Sequence, residues 1–230
     1  MQKKYVLITG SSKGLGKELA LEFVKQNYGV ILHGRDITSL EAVKNQITSN
    51  GVECEIVGGD INSEITIAKL FDIAKQKDIE ILVNNSGVYL NKPTQETSEQ
   101  EYRQIMETNF FAPIILTQKI LPIFLGKSRG LIININSVAG KQGSPGEAAY
   151  AASKHAMKGH FDSLKFDVTS KGIRIVNIFP GAMNTQMSEG RKDLTKCMQI
   201  KEVAEFICHL CSKEQDSFYP SEILLGKRKF

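Results

Sequence analysis

The feature that most constrains the fold is a regular alternation of short apolar runs with longer segments of helical periodicity. Runs such as residues 5–8 and 29–33 are mostly apolar, which is typical of strands that are buried on both faces of a sheet. Between the runs, apolar residues recur at helical spacing, as do Leu15, Leu19 and Phe23. This alternation predicts one parallel sheet with helices on both faces, because each parallel crossover passes over a face of the sheet.

The predicted sheet has about seven strands in a doubly wound, Rossmann-type α/β fold. The predicted strands are residues 5–8, 29–33, 52–57, 80–83, 130–136, 173–179 and 222–225. The predicted helices begin near residues 15, 36, 62, 98, 147 and 201. Pro113 lies inside the long helix predicted for residues 98–125 and is expected to bend it or open it locally, since proline lacks the backbone N–H. No repeat or linker interrupts the pattern, so residues 1–230 are predicted to form a single domain.

Composition excludes several classes of function. The chain is 41% hydrophobic and 23% charged, and its net charge of +4 forms no basic stripe, so no nucleic-acid partner is predicted. No apolar run approaches the roughly 18–20 residues of a membrane span, and no signal peptide is evident, so we expect a cytoplasmic protein with no membrane partner. Cys208 and Cys211 form a C-x-x-C pair within a helical pattern, and without a second pair no metal site is predicted.

A glycine-rich loop joins the first predicted strand to the first predicted helix. It reads Thr9-Gly10-Ser11-Ser12-Lys13-Gly14-Leu15-Gly16, with the spacing G-x-x-x-G-x-G. Glycine permits a tight turn and a close approach of the backbone to phosphate. A dinucleotide-binding fold places the pyrophosphate of its ligand at this junction, against the N-terminus of the helix. The loop alone is a weak signal, but its position between strand and helix predicts nucleotide binding.

The end of the second strand indicates which cofactor is bound. An acidic residue there would accept the ribose hydroxyls of NAD, whereas an arginine would meet the 2′-phosphate of NADP. The chain has Gly34 at the usual acidic position and Arg35 next to it, and Lys13 adds positive charge. Asp36 is the competing signal, which we interpret as a helix cap. NADP(H) is therefore predicted, and NAD(H) remains the alternative.

Three residues form a candidate catalytic group. Tyr150 and Lys154 are one helical turn apart on the predicted fifth helix, and Ser137 ends the preceding strand. Free tyrosine has a pKa of about 10, and a lysine cation nearby is expected to lower it toward neutrality. Ser137 would then hold a carbonyl oxygen while Tyr150 exchanges its proton. The alternative is a helix in which the tyrosine packs and the lysine is solvated.

With these motifs in place, the chain resembles the short-chain dehydrogenase/reductase family, in its compact non-extended branch. The resemblance covers nearly the whole chain. It rests on T-G-x-x-x-G-x-G at residues 9–16, Asp60-Ile61, N-N-x-G at residues 84–87, Asn109, Ser137, Tyr150-x-x-x-Lys154, and Pro180-Gly181 followed by Thr185.

The resemblance implies a role for each member of the catalytic group. Tyr150 would protonate the developing alkoxide, Lys154 would lower the tyrosine pKa and bind the nicotinamide ribose, and Ser137 would polarise the carbonyl. Asn109 would fix a water that links Lys154 to solvent. The alternative for Asn109 is an ordinary polar residue that bends its helix.

The resemblance also implies the cofactor contacts. Asp60 would bind the adenine amino group beside Ile61, residues 84–87 would follow the cofactor with their backbone, and Thr185 would help to close over the nicotinamide. The full predicted cofactor set is Gly10, Ser12, Lys13, Gly14, Leu15, Gly16, Arg35, Asp60, Ile61, Asn84, Ser86, Gly87, Tyr150, Lys154, Pro180, Gly181 and Thr185.

The chain departs from the usual pattern of the family in a few places. Ser86 replaces a common alanine and Asn136 a common serine, and neither change removes a reacting group. The segment 182–199 is short for a substrate lid. Met183 and Met187 either line an apolar pocket or simply pack. The basic tail after Gly226 is expected to serve solubility, with a contact to a subunit or an acidic partner as the alternative.

The leading hypothesis is an NADP(H)-dependent carbonyl reductase, reversible as an alcohol dehydrogenase, that acts on a ketone, aldehyde or 3-oxoacyl substrate. The second is a dinucleotide-sensing regulatory protein with little catalysis, since fold alone does not exclude it. A sugar-nucleotide epimerase is disfavoured because the chain lacks room for an added substrate domain. The family implies a homodimer or homotetramer paired through its long helices. The apolar residues that would serve this pairing also fit a helix buried on its own sheet: Phe110, Phe111, Ile114, Ile115 and Ile120.

Overall fold

The computed structural model describes residues 3–185, 197–211 and 219–226, and in these residues seven parallel strands form one sheet. The strand order is β3-β2-β1-β4-β5-β6-β7, with helices on both faces, so the predicted fold class is confirmed. The third strand begins at Cys54 rather than 52, and the fourth at Asp78 rather than 80. The strands are β1 (Lys4–Ile8), β2 (Gly29–Gly34), β3 (Cys54–Gly58), β4 (Asp78–Asn84), β5 (Gly130–Ile135), β6 (Ile173–Pro180) and β7 (Glu222–Leu225).

In the described part of the chain, seven α-helices connect or follow these strands. They are α1 (Gly14–Lys25), α2 (Ile37–Thr48), α3 (Glu64–Gln76), α4 (Glu99–Met106), α5 (Ala112–Lys127), α6 (Ala148–Val168) and α7 (Ile200–Cys211). A π-helical turn, Glu107–Phe111, joins α4 to α5 immediately before Pro113. The predicted long helix therefore opens locally where proline cannot donate a backbone hydrogen bond to the preceding turn.

The sheet is buried on both faces because its strands alternate side chains between two apolar clusters. In β1, Val6 and Ile8 belong to one cluster, whereas Tyr5 and Leu7 belong to the other. Helices α1, α2 and α7 supply Leu19, Val43, Ile207 and other residues to the first cluster. Helices α3, α5 and α6 cover the second with residues that include Leu70, Ile120 and Phe161.

The continuous helical segment Glu99–Lys127 is long and apolar enough to cross a membrane by length and composition, with an 18-residue window of mean hydropathy 1.4. The expectation that no segment approaches a membrane span is therefore wrong by this criterion. Helices in the core of a protein can have the same length and composition. In this segment, 44% of the apolar 18-residue stretch is buried. Within α5, Leu116, Ile120 and Phe124 pack against the sheet. The absence of a membrane partner and the cytoplasmic location stay predictions.

The apolar face predicted for subunit pairing divides into two parts. Ile114 and Ile120 are buried within the chain, and Phe110 packs against the second cluster. Phe111 and Ile115 remain exposed, at 42% and 41%. The residues that pack within the chain agree with the interpretation of a helix buried on its own sheet, and the homodimer or homotetramer stays a prediction.

Three buried asparagines form a ladder across β4, β5 and β6. Asn84, Asn134 and Asn177 are paired in register on these strands. The Nδ2 of Asn84 donates to Oδ1 of Asn134 at 2.9 Å, and the Nδ2 of Asn134 donates to Oδ1 of Asn177 at 2.9 Å. At the end of the ladder, Nδ2 of Asn177 donates to Oδ1 of Asp162 on α6 at 3.1 Å. The ladder fixes the carboxyl ends of the strands, from which the loops of the site emerge.

Removing the middle amide should destabilise the sheet. Asn134→Ala takes away the donor to Asn177 and the acceptor of Asn84, and it leaves a buried void. We expect a loss of about 2–4 kcal/mol in the free energy of unfolding, measured by urea denaturation. Asn45→Ala, at an exposed position of α2, is the control and should stay within about 0.5 kcal/mol of the wild type. Equal stability of the two variants would contradict the ladder.

Candidate active site

A cleft of about 900 Å³ opens where the strand order reverses, at the carboxyl ends of β1 and β4. Open α/β sheets bind their ligands at such a switch point, since the loops there diverge to opposite faces. The volume lies within the range of small-molecule and cofactor sites. The cleft is lined by the glycine loop, the ends of β2, β4 and β5, and the first turns of α6.

The glycine loop is shaped to receive an anionic group. Gly10 and Gly14 have positive φ angles of 64° and 58°, which favour glycine. A Cβ at Gly16 would lie 2.3 Å from the carbonyl oxygen of Gly10, so only glycine lets α1 approach the loop this closely. Lys13, the N-cap residue of α1, provides no side-chain cap to the helix. The first N–H groups of α1 are thus directed at the cleft, as a pyrophosphate requires.

Two side chains brace this loop. The Nδ2 of Asn85 donates to the carbonyl oxygens of Thr9, at 2.8 Å, and Gly10, at 2.9 Å. The backbone N–H of Gly10 donates to Nδ1 of His33 at 3.4 Å, and Nε2 of His33 donates to the carbonyl of Gly59 at 3.1 Å. Burial lowers the pKa of His33 to about 4, so it is neutral at pH 7. The bracing role of these two residues does not follow from the sequence. Asn85 lies within a recognised motif, but a lone histidine in a strand carries no signal.

The far end of the cleft contains the residues predicted to contact the adenosine. Arg35 is exposed at its rim. Asp36 accepts hydrogen bonds from the backbone N–H of Ser39, at 3.0 Å, and from its hydroxyl, at 2.6 Å, which makes it the N-cap of α2 as interpreted. These bonds lower the pKa of Asp36. Asp60 and Ile61 line the cleft next to Arg35.

Most of the predicted cofactor residues line the cleft, and four do not. Gly16 packs against the glycine loop, and Asn84 turns its side chain into the asparagine ladder. Pro180 is the buried end of β6, and the N–H of Gly181 donates to the carbonyl of Leu225 at 2.8 Å. The predicted residues that line the cleft are Gly10, Ser12, Lys13, Gly14, Leu15, Arg35, Asp60, Ile61, Ser86, Gly87, Tyr150, Lys154 and Thr185.

The lid region is described in part. Met183 lines the cleft and also packs against the first apolar cluster, so both interpretations of it hold. Met183 and Met198 form an isolated parallel bridge that joins the two described ends of this region. Met187 and the tail after Gly226 lie outside the described residues, so the interpretations given to them stay predictions.

The three predicted catalytic side chains come together at the junction of β5 and α6. Tyr150 and Lys154 are one turn apart near the start of α6, and Nζ of Lys154 lies 5.8 Å from the centre of the Tyr150 ring. The Lys154 ammonium donates to the carbonyl of Ile135 at 3.0 Å. Ser137 and Tyr150 share a side-chain hydrogen bond. The phenol and the ammonium group thus line one end of the cleft, and the hydroxyl of Ser137, which is not among the lining residues, adjoins the phenol.

The pKa values of this group differ from the expectation. Burial raises the pKa of Tyr150 to about 12, the hydrogen bond with Ser137 acts in the opposite direction, and Glu147 and Tyr89 raise it further. Lys154 is 4% exposed, and burial lowers its pKa to about 8. The expected lowering of the tyrosine pKa by Lys154 is therefore absent from the protein itself. Burial dominates, and the lysine points at the carbonyl of Ile135. Tyr150 is a neutral phenol at pH 7, which is the proton-donating form.

Asn109 lies in the π-helical turn and is fully buried. Its Nδ2 donates to the carbonyl of Val88, at 2.9 Å, and to Oγ of Ser153, at 3.1 Å. Its Oδ1 accepts from the N–H of Val88 at 2.8 Å, which leaves one lone pair. The hydroxyl of Ser153 in turn donates to the carbonyl of Tyr150 at 2.7 Å. Asn109 thus ties the turn after β4 to α6, and its role in a water relay stays a prediction.

Asn136, noted in the sequence only as a departure, connects two members of the catalytic group. Its Oδ1 accepts from the backbone N–H of Ser137 at 2.9 Å, and its Nδ2 donates to the backbone carbonyl of Lys154 at 3.0 Å. A Cβ at Gly140 would lie 2.4 Å from this Oδ1, so glycine leaves the room that the amide needs. A shorter serine side chain would not bridge both groups. Asn136 therefore fixes the distance between the end of β5 and α6.

Comparison with known proteins agrees with this geometry. The sequence model of the family described as short chain dehydrogenase matches residues 4–195. The chain belongs to the short-chain dehydrogenase family. Its relatives include dehydrogenase/reductase SDR family member 7B of Danio rerio, 36% identical over 196 residues, which make up 82% of this chain and 63% of the relative. Dehydrogenase/reductase SDR family member 7 of Homo sapiens is 31% identical over 194 residues, with 80% and 56% covered. The chain thus spans about three-fifths of the length of these curated relatives.

Solved structures show the same fold. An alcohol dehydrogenase from the archaeon Thermococcus sibiricus, complexed with 5-hydroxy-NADP, superposes with a TM-score of 0.90 at 21% identity, with both chains fully covered. A metagenomic short-chain oxidoreductase in complex with NADP has a TM-score of 0.86 at 26% identity, and 99% of each chain is covered. The family is one of oxidoreductases that use NAD(P)(H). The shape of the glycine loop and the cleft fits that group.

Replacing Lys154 should stabilise this short-chain dehydrogenase. Since burial lowers the pKa of Lys154 to about 8, keeping it charged at pH 7 costs about 3 kcal/mol, of which its hydrogen bond to Ile135 returns about 1 kcal/mol. We expect Lys154→Met to raise the free energy of unfolding at pH 7 by about 2 kcal/mol. The unfolded wild type binds more protons than the native protein between about pH 8 and the ordinary lysine pKa. The gain should therefore shrink as the pH rises through that window.

The measurement is urea denaturation at several pH values between 7 and 10. Lys158→Met, one turn further along α6, is the control. A hydrogen bond from its ammonium to Asp162 raises the pKa of Lys158, so this substitution should have the opposite sign and destabilise the protein. A Lys154→Met variant that is less stable than the wild type by the same amount at every pH would contradict the account.

Proposed function

We propose that this protein is an NADP(H)-dependent carbonyl reductase that also runs in reverse as an alcohol dehydrogenase. The substrate would be a ketone, an aldehyde or a 3-oxoacyl group. The observation that carries the proposal is that Tyr150 and Lys154 line the same end of the cleft and that Ser137 is hydrogen-bonded to Tyr150.

Each of these residues has a defined task in the proposed reaction. The cofactor, when bound, supplies the hydride. Tyr150 donates its phenolic proton to the carbonyl oxygen, and Ser137 holds that oxygen by a hydrogen bond. Lys154, cationic at pH 7, would bind the hydroxyls of the nicotinamide ribose. Because burial keeps Tyr150 protonated, the protein is prepared for reduction at neutral pH.

The proposed preference for NADP(H) over NAD(H) rests on the end of β2. Gly34 offers no carboxylate to the ribose hydroxyls, and a Cβ there would approach Oγ of Ser12 to 3.2 Å. The carboxylate of Asp36 is engaged as the cap of α2, whereas Arg35 is exposed at the rim of the cleft. An arginine in this position binds phosphate well because its planar fork matches two phosphate oxygens.

Removing the phenol should abolish turnover and preserve cofactor binding. We expect Tyr150→Phe to lower kcat for NADPH-dependent reduction by about 10²–10⁴-fold, which is the usual contribution of a general acid. The dissociation constant of NADPH should change little. The assay is NADPH consumption with a panel of diketones, quinones and 3-oxoesters. Tyr102→Phe makes the same chemical change on α4, outside the cleft, and should leave kcat within about twofold.

The same assay separates the enzyme from the dinucleotide-sensing alternative. Wild-type protein that binds NADPH tightly but turns over no carbonyl compound would support the sensor and would overturn the proposed reductase.

Arg35→Ala should weaken the binding of NADPH but not that of NADH. Loss of a charged hydrogen bond of about 1.5–3 kcal/mol corresponds to a rise of about 10–100-fold in the dissociation constant of NADPH. The constant for NADH should change less than about threefold, since NADH lacks the 2′-phosphate. Both constants are measured by titration of the cofactor fluorescence. Arg103→Ala, on the exposed face of α4, is the control. Equal losses for both cofactors would show that the assignment to Arg35 is wrong.

A further inference from the structure

Two residues that lie outside the cofactor cleft contact each other and flank Tyr150. The hydroxyl of Tyr89 donates to Oε1 of Glu147 at 2.7 Å. The ring of Tyr89 packs edge-to-face against the ring of Tyr150, with centres 5.0 Å apart and planes at 82°. Tyr89 follows the turn after β4, and Glu147 is the N-cap residue of α6. Neither residue lines the cofactor cleft, whereas Tyr150 does. The phenol therefore has the cleft on one side and this pair on another.

The hydrogen bond between Tyr89 and Glu147 is one of three that join the loop after β4 to the segment before α6. The Nδ2 of Asn91 donates to the carbonyl of Pro145 at 3.1 Å, and the N–H of Lys92 donates to the carbonyl of Gly146 at 2.7 Å. Gly146 has a φ of 75°, and a Cβ there would lie 2.9 Å from Oδ1 of Asn91. The other two hydrogen bonds thus hold the loops together without Tyr89 or Glu147. Substitutions in the pair should leave the contact between the loops in place.

The charge of Glu147 has no cationic partner among the residues that the structure describes. The lysines of the adjoining segments are engaged elsewhere: Lys92 with Glu101 at 3.0 Å, and Lys141 with Glu222. Lys158, two turns along α6 from Tyr150, pairs with Asp162 and Glu222. The Lys154 ammonium donates to the carbonyl of Ile135 instead. The carboxylate of Glu147 therefore contributes negative charge on the Tyr89 side of the phenol, while the Lys154 ammonium contributes positive charge 5.8 Å from the ring centre.

The groups that face Tyr150 come from three elements. Tyr89, on the loop after β4, and Glu147, on α6, both raise the pKa of the phenol. Ser137, at the end of β5, lowers it through a hydrogen bond, and Lys154 lies 5.8 Å from the ring. The negative potential of Glu147 is thus felt at the atom that a substrate carbonyl must approach.

We propose that the carboxylate of Glu147, which accepts a hydrogen bond from Tyr89, selects the substrate by its charge. Tyr89 supports the ring of Tyr150 and holds Glu147, and the carboxylate of Glu147 repels substrates that carry a carboxylate or phosphate close to the reacting carbonyl. Neutral or cationic ketones, aldehydes and 3-oxoesters are then the substrate class, and free 2-oxo and 3-oxo acids are disfavoured. This inference rests on the proposed function, because it assigns Tyr150 as the proton donor.

The test compares substrates that differ mainly in charge. Reduction by NADPH is measured with butane-2,3-dione against pyruvate, and with methyl acetoacetate against acetoacetate. Glu147→Gln keeps the size of the side chain and an acceptor for the Tyr89 hydroxyl but removes the charge. For a like-charge contact a few ångströms away at a partly exposed site, we expect the ratio of kcat/KM for the anionic over the neutral member to rise about 5- to 20-fold. The rise should shrink in 0.5 M salt, which screens the repulsion.

The pH profile provides a readout that a purely structural role would not move. Removing the negative charge lowers the pKa of Tyr150, so the alkaline limit of reduction of the neutral substrate should shift to lower pH in Glu147→Gln. Tyr89→Phe keeps both the ring contact and the carboxylate, so it is the matched control, and its anionic-to-neutral ratio should stay within about threefold of the wild type.

An unchanged ratio in Glu147→Gln, or the same rise in Tyr89→Phe, overturns the inference and leaves the reductase intact. Failure of the wild type to reduce any neutral carbonyl compound overturns the proposed function and this inference with it. If the wild type reduces the neutral substrates and Tyr150→Phe does not, the proposed reductase activity is supported. The anionic-to-neutral ratio then tests the role of Glu147 alone.

Discussion

The site depends on one contact, the bridge that Asn136 makes between the end of β5 and α6. One amide holds the backbone of Ser137 on the strand and the backbone of Lys154 on the helix, and Lys154 returns a hydrogen bond from its ammonium to Ile135. Two hydrogen bonds thus join the two elements, and both meet α6 at Lys154, four residues from Tyr150. If the helix slid along the strand, the serine hydroxyl, the phenol and the ammonium would no longer share one end of the cleft.

This arrangement places several buried polar groups at the carboxyl ends of the strands. Burying polar groups stabilises a fold less than burying apolar ones. Asn109, Asn136 and Lys154 are each less than 5% exposed, and the asparagine ladder lies under the same ends of the strands. Hydrogen bonds engage the amides of Asn109 and Asn136, but Oδ1 of Asn84 is buried without a partner and the lysine is an ion in a site that opposes its charge. Stability is therefore lower here than in the two apolar clusters, and the compensation comes from the sheet, which is buried on both faces. A charged lysine held in this way is ready to interact with a bound ligand.

The sequence predicts the order of elements, the glycine loop and the spacing of Tyr150 and Lys154, because each depends on a local period or a backbone requirement. It does not predict Asn136 or His33 as supports, since their partners lie far away in the chain or belong to the backbone. It also gives the wrong direction for the pKa of Tyr150. Spacing along a helix shows that two side chains share a face, but burial depends on the whole fold, and here it outweighs the lysine. The pair of Tyr89 and Glu147 lies 58 residues apart and becomes visible only in three dimensions.

The central claim is that the β5–α6 junction is the catalytic end of a dinucleotide site. A crystal structure of the protein grown with NADP⁺ tests it most directly. The account predicts the nicotinamide ring beside Tyr150 and Ser137, and the 2′-phosphate beside Arg35. A cofactor bound in the reverse orientation, or a Tyr150 hydroxyl out of hydrogen-bond reach of Ser137 and turned away from the nicotinamide, would contradict it.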